Sequence, residues 1–145
     1  EERFVGLLTE QCSMITPEND FKMENLFTPD PDRPGHGRFH FETADRYVDF
    51  ARKHGMRVRG HALVWHFQMD RTGTLERFWE GKMTRTEWRA FLSYYVTMVV
   101  GHFRDYAPGV VVEWDVVNEA VVVPEIDCAY NVEHENYMRK SLWYR

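Results

Sequence analysis

At 145 residues, with 43% hydrophobic content and a mean hydropathy of -0.55, the chain has the size and composition of one soluble globular domain with a fair core. Its net charge of -5, from 18 basic and 23 acidic residues without a basic tract, argues against a nucleic-acid partner. No apolar run approaches membrane-spanning length, which argues against a membrane span.

The chain opens Glu1-Glu2-Arg3-Phe4, without a methionine or a visible signal peptide, so its true start is expected upstream. There is no internal repeat, low-complexity segment or linker. Cys12 and Cys128 lie far apart and lack metal spacing; two free thiols are expected ahead of one disulfide, and the redox compartment stays open.

In chain order, a helical tail is expected around Arg3 to Gln11. A first strand follows over Cys12 to Thr16 and is stopped by Pro17. Phe21 to Leu26 reads as a loop or short turn. Thr28 to His40, with Pro and Gly among charges, reads as a surface loop. A helix is predicted over Thr43 to His54, with Thr43 as N-cap. Ala44, Tyr47, Val48 and Ala51 recur at helical spacing, and Gly55 is placed for a left-handed stop. The second strand is Arg57 to Val64, ending near Trp65-His66, with Gly60 inside it to permit close approach.

Met69 to Lys82 reads as a loop holding a short helical turn at Leu75 to Trp79. The longest helix is predicted over Arg85 to Tyr106, where Thr84 and Glu87 form a capping-box pattern. Trp88, Phe91, Leu92, Tyr95, Val96, Val99 and Phe103 make one apolar stripe along it. After Pro108-Gly109 comes VVVEWDVVNEA, Val110 to Ala120, a β-branched run expected to be a strand buried on both faces. Val121 to Val132 reads as loop, and Glu135 starts a further helix. Strands alternating with helices point to a parallel sheet with crossover helices, an α/β fold.

Three strand ends deliver polar residues to one edge of that sheet: Glu18-Asn19 with Lys22, His61 with Trp65-His66 and Gln68, and Asn118-Glu119. Side chains alternate along a strand, so Arg57, Arg59 and His61 share a face, and Glu113, Asp115 and Glu119 share another strand's. Adjacent strands then put Arg59 beside Asp115, a pair expected to be buried and structural. Zinc is not expected at His61 and His66, because alternation separates them and no third ligand has metal spacing.

TPEN at Thr16 to Asn19 with Lys22, GHALVWHFQ at Gly60 to Gln68 and WDVVNEA at Trp114 to Ala120 resemble three motifs of glycoside hydrolase family 10, which contains the endo-β-1,4-xylanases. RKSLWY at Arg139 to Tyr144 resembles the helix that follows in that family. The resemblance implies a (β/α)8 TIM barrel of which this chain holds about strands two to four. By position it makes Glu119 the general acid/base and Asn118 the ligand of the sugar 2-hydroxyl at the cleavage site. His61 and Trp65 would line that subsite, and Glu18, Asn19, Lys22 and Gln68 would bind the glycone-side sugars. It implies xylan as the partner, no cofactor or metal, and an exported, extracellular protein; oligomeric state is left open. Some of the aromatics, 15% of the chain, would then stack on sugar faces, although most are core.

The chemistry suits these residue types. A retaining glycosidase needs one carboxyl group to protonate the leaving oxygen and a second to attack the anomeric carbon, about 5–5.5 Å away. The family's nucleophile is a glutamate on strand seven, with no counterpart here. A barrel needs at least about 200 residues, so residues 1–145 are expected to form one incomplete catalytic domain, the N-terminal half of a longer enzyme. Phe21-Lys22-Met23 stands where the family has Met-Lys-Trp, leaving one aromatic out of the glycone wall. The rival readings are another retaining β-glycanase, such as a cellulase or mannanase, and a non-catalytic glycan-binding relative or inactive fragment.

Overall fold

The computed structural model describes residues 2–66, 79 and 81–121. Its centre is a three-stranded parallel sheet in the order β1-β4-β5, formed by β1 (Met14–Ile15), β4 (Arg57–Trp65) and β5 (Val111–Asn118). Helix α1 (Glu2–Gln11) precedes β1. Helices α3 (Glu42–Lys53) and α4 (Arg85–Tyr106) make the two crossovers. Between β1 and α3 lie one helical turn, α2 (Met23–Leu26), and an antiparallel pair, β2 (Phe27–Pro29) with β3 (Gly37–Phe39).

Each crossover follows from local chemistry. Ala44, Val48 and Ala51 are the buried residues of α3, one apolar stripe on a helix that also carries six charged residues. Gly55 takes φ +66 and turns the chain into β4. In α4, Thr84 Oγ1 accepts from the Glu87 N–H at 3.3 Å, and Glu87 Oε2 accepts from the Thr84 N–H at 2.6 Å, completing the capping box. Phe91, Tyr95, Val99 and Phe103 bury the inner face of α4, and Trp88, Leu92 and Val96 pack at its margin. The two helices are tied together at their outer ends. His102 stacks on Phe41 at 3.7 Å and bonds Asp45 at 2.7 Å, while Tyr106 donates to Asp49 at 3.0 Å.

Three expectations need correction. The strand expected over Cys12 to Thr16 is only two residues long, because only Met14 and Ile15 find ladder partners, on Arg57 and Val58. Phe21 to Leu26, read as a loop or short turn, does hold the single turn α2, with Phe21, Met23 and Leu26 fully buried around it. Thr28 to His40 contains the β2–β3 pair, which the Phe27 and Phe39 rings close at 5.0 Å. Finally, Thr43 is not an N-cap. Phe41 holds that position with no side-chain hydrogen bond, and Glu42 and Asp45 in the first turn compensate the exposed amides electrostatically.

β5 also departs from expectation. Val112, Val116 and Val117 are exposed, so this strand is not covered on both faces by the described residues. Its inward anchor is Trp114, which meets Phe21 at 5.9 Å and Phe103 at 5.7 Å. No described helix is long and apolar enough to cross a membrane.

Among the described residues, Trp79, Tyr95, Phe21 and Phe103 are the largest fully buried side chains of the core. Burial of one such ring contributes roughly 1.5–3 kcal/mol. The Tyr95 hydroxyl has no hydrogen-bond partner among the described residues, and burial pushes its pKa far up. A buried hydroxyl without a partner carries a desolvation cost. Tyr95→Phe is therefore expected to keep or raise stability, by up to about 1 kcal/mol; a urea denaturation midpoint below the native one would contradict this.

Candidate active site

The carboxyl ends of β1, β4 and β5 lie on one edge of the sheet, as parallel strands require. β5 ends at Asn118, whose register partner on β4 is Trp65. The next residue, Glu119, takes φ 52, the left-handed region that non-glycine residues seldom adopt. Trp65 Nε1 donates to Glu119 Oε2 at 2.9 Å. The Lys22 ammonium lies 4.2 Å from the centre of the Trp65 ring, a cation–π contact, and donates to Asn19 Oδ1 at 2.9 Å. Lys22 is almost fully buried, so its charge faces the site rather than bulk water. All three strand ends thus enter a single chain of contacts: Asn19 and Lys22 after β1, then Trp65, then Glu119.

A second set lies lower on the same strands. His61 on β4 is the register partner of Asp115 on β5. His61 Nδ1 and Asp115 Oδ2 are 2.8 Å apart. Arg59 Nε donates to Asp115 Oδ1 at 3.0 Å, and Arg59 Nη2 donates to the same oxygen. Arg59 also lies 3.8 Å from Glu113. The expected Arg59–Asp115 pair is present, but it is not buried: the two side chains are 45% and 20% exposed.

The Asp115 carboxyl is held below the usual carboxylate range, first by the Arg59 hydrogen bond, with the His61 hydrogen bond assisting and burial opposing. A carboxylate depressed in the folded state stabilises the fold above its unfolded pKa, about 3.9, and loses that contribution as pH falls through its folded value. Arg59→Met removes the largest cause. The variant is expected to be less stable than the native protein near neutral pH, with the gap closing below about pH 4; urea titrations across that range check it.

Of the other predicted residues, Glu18 and Asn19 are exposed on the loop after β1. Gln68, Cys128, the turn at Leu75 to Trp79 (apart from Trp79 itself) and the helix from Glu135 lie outside the described residues. His66, placed by the sequence at the second strand end and given no role there beyond a rejected metal site, has Nδ1 3.8 Å from Glu119 Oε2. Strand alternation assigned it to the far face, but β4 ends at Trp65 and alternation stops there. Among the described residues no group of His, Cys, Asp or Glu has the arrangement of a metal site.

These features define a class: part of an α/β barrel with a carboxylate, an indole donor, a histidine and a buried ammonium at the carboxyl ends of its strands. The profile of Glycosyl hydrolase family 10 matches residues 2–145, and the chain belongs to that family. Endo-1,4-beta-xylanase A of Thermotoga neapolitana is 35% identical over 150 residues, covering 99% of this chain and 12% of the relative. Among solved structures, the catalytic core of a xylanase A superposes with a TM-score of 0.74 at 28% identity, covering 100% of this chain and 37% of that one. A mutant of P fluorescens subsp. cellulosa xylanase A in complex with xylopentaose gives 0.73 at 29% identity, again with 100% of this chain and 37% of that chain covered. The chain therefore spans little more than a third of these solved structures, and less of the first relative.

Proposed function

We propose that this chain is the N-terminal part of the catalytic domain of a retaining endo-β-1,4-xylanase, with Glu119 as its general acid/base. In the first step the Glu119 carboxyl gives its proton to the glycosidic oxygen while a nucleophilic carboxylate bonds the anomeric carbon and the C–O bond breaks. In the second, the Glu119 carboxylate takes a proton from water, which displaces the enzyme carboxylate with the same face of the sugar retained. Asp115 is committed to Arg59 and His61, so it is not that nucleophile. The nucleophile belongs to the remainder of the domain, and no turnover is expected from the 145 residues alone.

Asn118 binds the sugar 2-hydroxyl at the cleavage site, and His61 and Trp65 line that subsite. Glu18, Asn19, Lys22 and Gln68 bind sugars on the glycone side. Neutral hydrogen-bonding groups and an aromatic face suit a ligand rich in hydroxyls. The observation that carries the reading is the Trp65–Glu119 hydrogen bond at 2.9 Å, backed by the Lys22 ammonium. It ties three separate strand ends to one carboxylate. Xylopentaose, bound in a similar solved structure, is the kind of ligand implied. An extracellular site of action fits a polymeric substrate.

The test is hydrolysis by the full-length protein of xylan against carboxymethyl cellulose, with the anomer of the first product followed by NMR. Faster turnover of xylan with a β-anomeric first product supports the proposal. Inversion would overturn the double-displacement mechanism, a preference for carboxymethyl cellulose would favour a cellulase, and xylan binding without turnover would favour a non-catalytic glycan-binding protein.

A further inference from the structure

A groove of about 550 Å³ runs between α1 and α3. Phe4 and Leu8 of α1 line one side, and Arg46, Tyr47 and Phe50 of α3 line the other, with Pro17 between them in sequence. Aromatic surface with a few polar groups, in a concavity of this size, is the usual make-up of a small-ligand site. Phe4 and Tyr47 are 69% and 36% exposed, so ring surface from both helices is open to a ligand. The Asp20 carboxylate accepts the Tyr47 hydroxyl, which raises the phenol pKa and tethers that ring.

The two flanks of α3 differ in how their charges are used. Toward α4, Asp45 is bonded to His102, and Asp49 to Tyr106 and Arg52. Toward the groove, Arg46 makes no ion pair or hydrogen bond among the described residues. An unanswered guanidinium beside an aromatic wall is a fork shaped for a carboxylate. Thr16 and Pro17, which line the groove, run directly into Glu18 and Asn19, the residues proposed to bind glycone-side sugars. We infer that the groove is an accessory binding site for xylo-oligosaccharides that carry a uronic-acid branch, with sugar faces on Phe4 and Tyr47 and the uronate on Arg46.

This inference rests on the carbohydrate-hydrolase reading and extends it to a surface where no bond is broken. It commits to an anionic sugar, because a neutral chain leaves Arg46 unanswered. Holding a branched chain beside the cleft would raise its local concentration there. The probe is xylotriose bearing one 4-O-methylglucuronic acid, with neutral xylotetraose as its comparison. Full-length protein carrying Glu119→Gln is used so that neither is consumed. Ring signals of Tyr47, assigned with Tyr47→Phe, read the groove separately from the cleft. They are expected to shift with the acidic sugar at concentrations where the neutral one leaves them unmoved. Arg46→Gln is expected to weaken that response about 5–10-fold. Because Arg46 is exposed, the variant is expected to keep its melting temperature. Raising salt to about 0.5 M should weaken the native response in the same direction, without any substitution at Arg46.

A Tyr47 ring that ignores the acidic sugar would overturn the inference. So would equal affinity for the neutral sugar, a response indifferent to salt, or one unchanged by Arg46→Gln. Equally tight binding of a glutamate-rich peptide would replace the sugar with an acidic protein segment as the occupant. A Tyr47 response as expected, in a protein whose native form does not hydrolyse xylan, would uphold the groove and overturn the proposed function. Xylan hydrolysis with a silent groove would do the reverse, so the two failures are distinguishable.

Discussion

Glu119→Gln in the full-length protein is expected to lower kcat on xylan about 10²–10⁴-fold, with little change in KM. Gln keeps the size of the side chain, and its amide oxygen still accepts from Trp65 Nε1. What it lacks is a proton to give to the departing sugar oxygen. The loss corresponds to about 3–5 kcal/mol of transition-state stabilisation. It should depend on the leaving group. An aryl xyloside whose phenol departs without protonation needs no acid in the first step, so that step should proceed at nearly the native rate. The second step still needs the base, and a burst of phenol followed by slow turnover is expected. An equal loss on good and poor leaving groups would remove Glu119 from the proton-transfer role.

The second large effect concerns Gly60. A methyl group built on it would lie 2.6 Å from Cδ2 of Trp114 and closer still to two other carbons of the ring. Trp114 packs against Phe21 and Phe103, which restricts the retreat of its ring. Gly60→Ala is expected to cost about 3 kcal/mol or more, the upper end for overpacking in a core. Since Gly60 is next to His61 and opposite Trp114 in the ladder, the shift would also displace the His61–Asp115 contact. Thermal denaturation reads the first effect, and xylanase activity well below the transition reads the second. A native-like melting temperature would show that β5 yields more easily than its packing suggests.

The parts of the fold that were legible in the sequence are those written by local patterns. Helix α4 has the predicted limits, Arg85 to Tyr106, because its apolar stripe is long and a capping box marks its start. Gly55 and Gly60 read correctly because each has a steric reason to lack a side chain. The β2–β3 pair was illegible because its strands are three residues each and include Pro29 and Gly37, which punctuate like loop residues. Phe27 and Phe39 make it a structure only by meeting each other and the α4 face. Phe41 at the α3 N-cap has no sequence signature at all.

The site was legible at the level of which strand ends carry polar groups, and less so in what those groups touch. Alternation along two strands was enough to pair Arg59 with Asp115. It could not foresee His61 as the second partner of that carboxylate, since the pairing depends on a register that shifts twice along β4 and β5. Nor could it foresee the Trp65–Glu119 bond, which forms where both strands have just ended and alternation no longer applies.

That last feature has an evolutionary side. Glu119 holds a backbone conformation at φ 52 that glycine adopts freely and that costs other L-residues about 1–2 kcal/mol. Glycine there would relax the turn and abolish the acid. A population screened for heat resistance alone should therefore drift toward losing this glutamate, and one screened for sugar release should keep it. The residue at the end of β5 is thus a site where selection for endurance and selection for work pull the sequence in opposite directions.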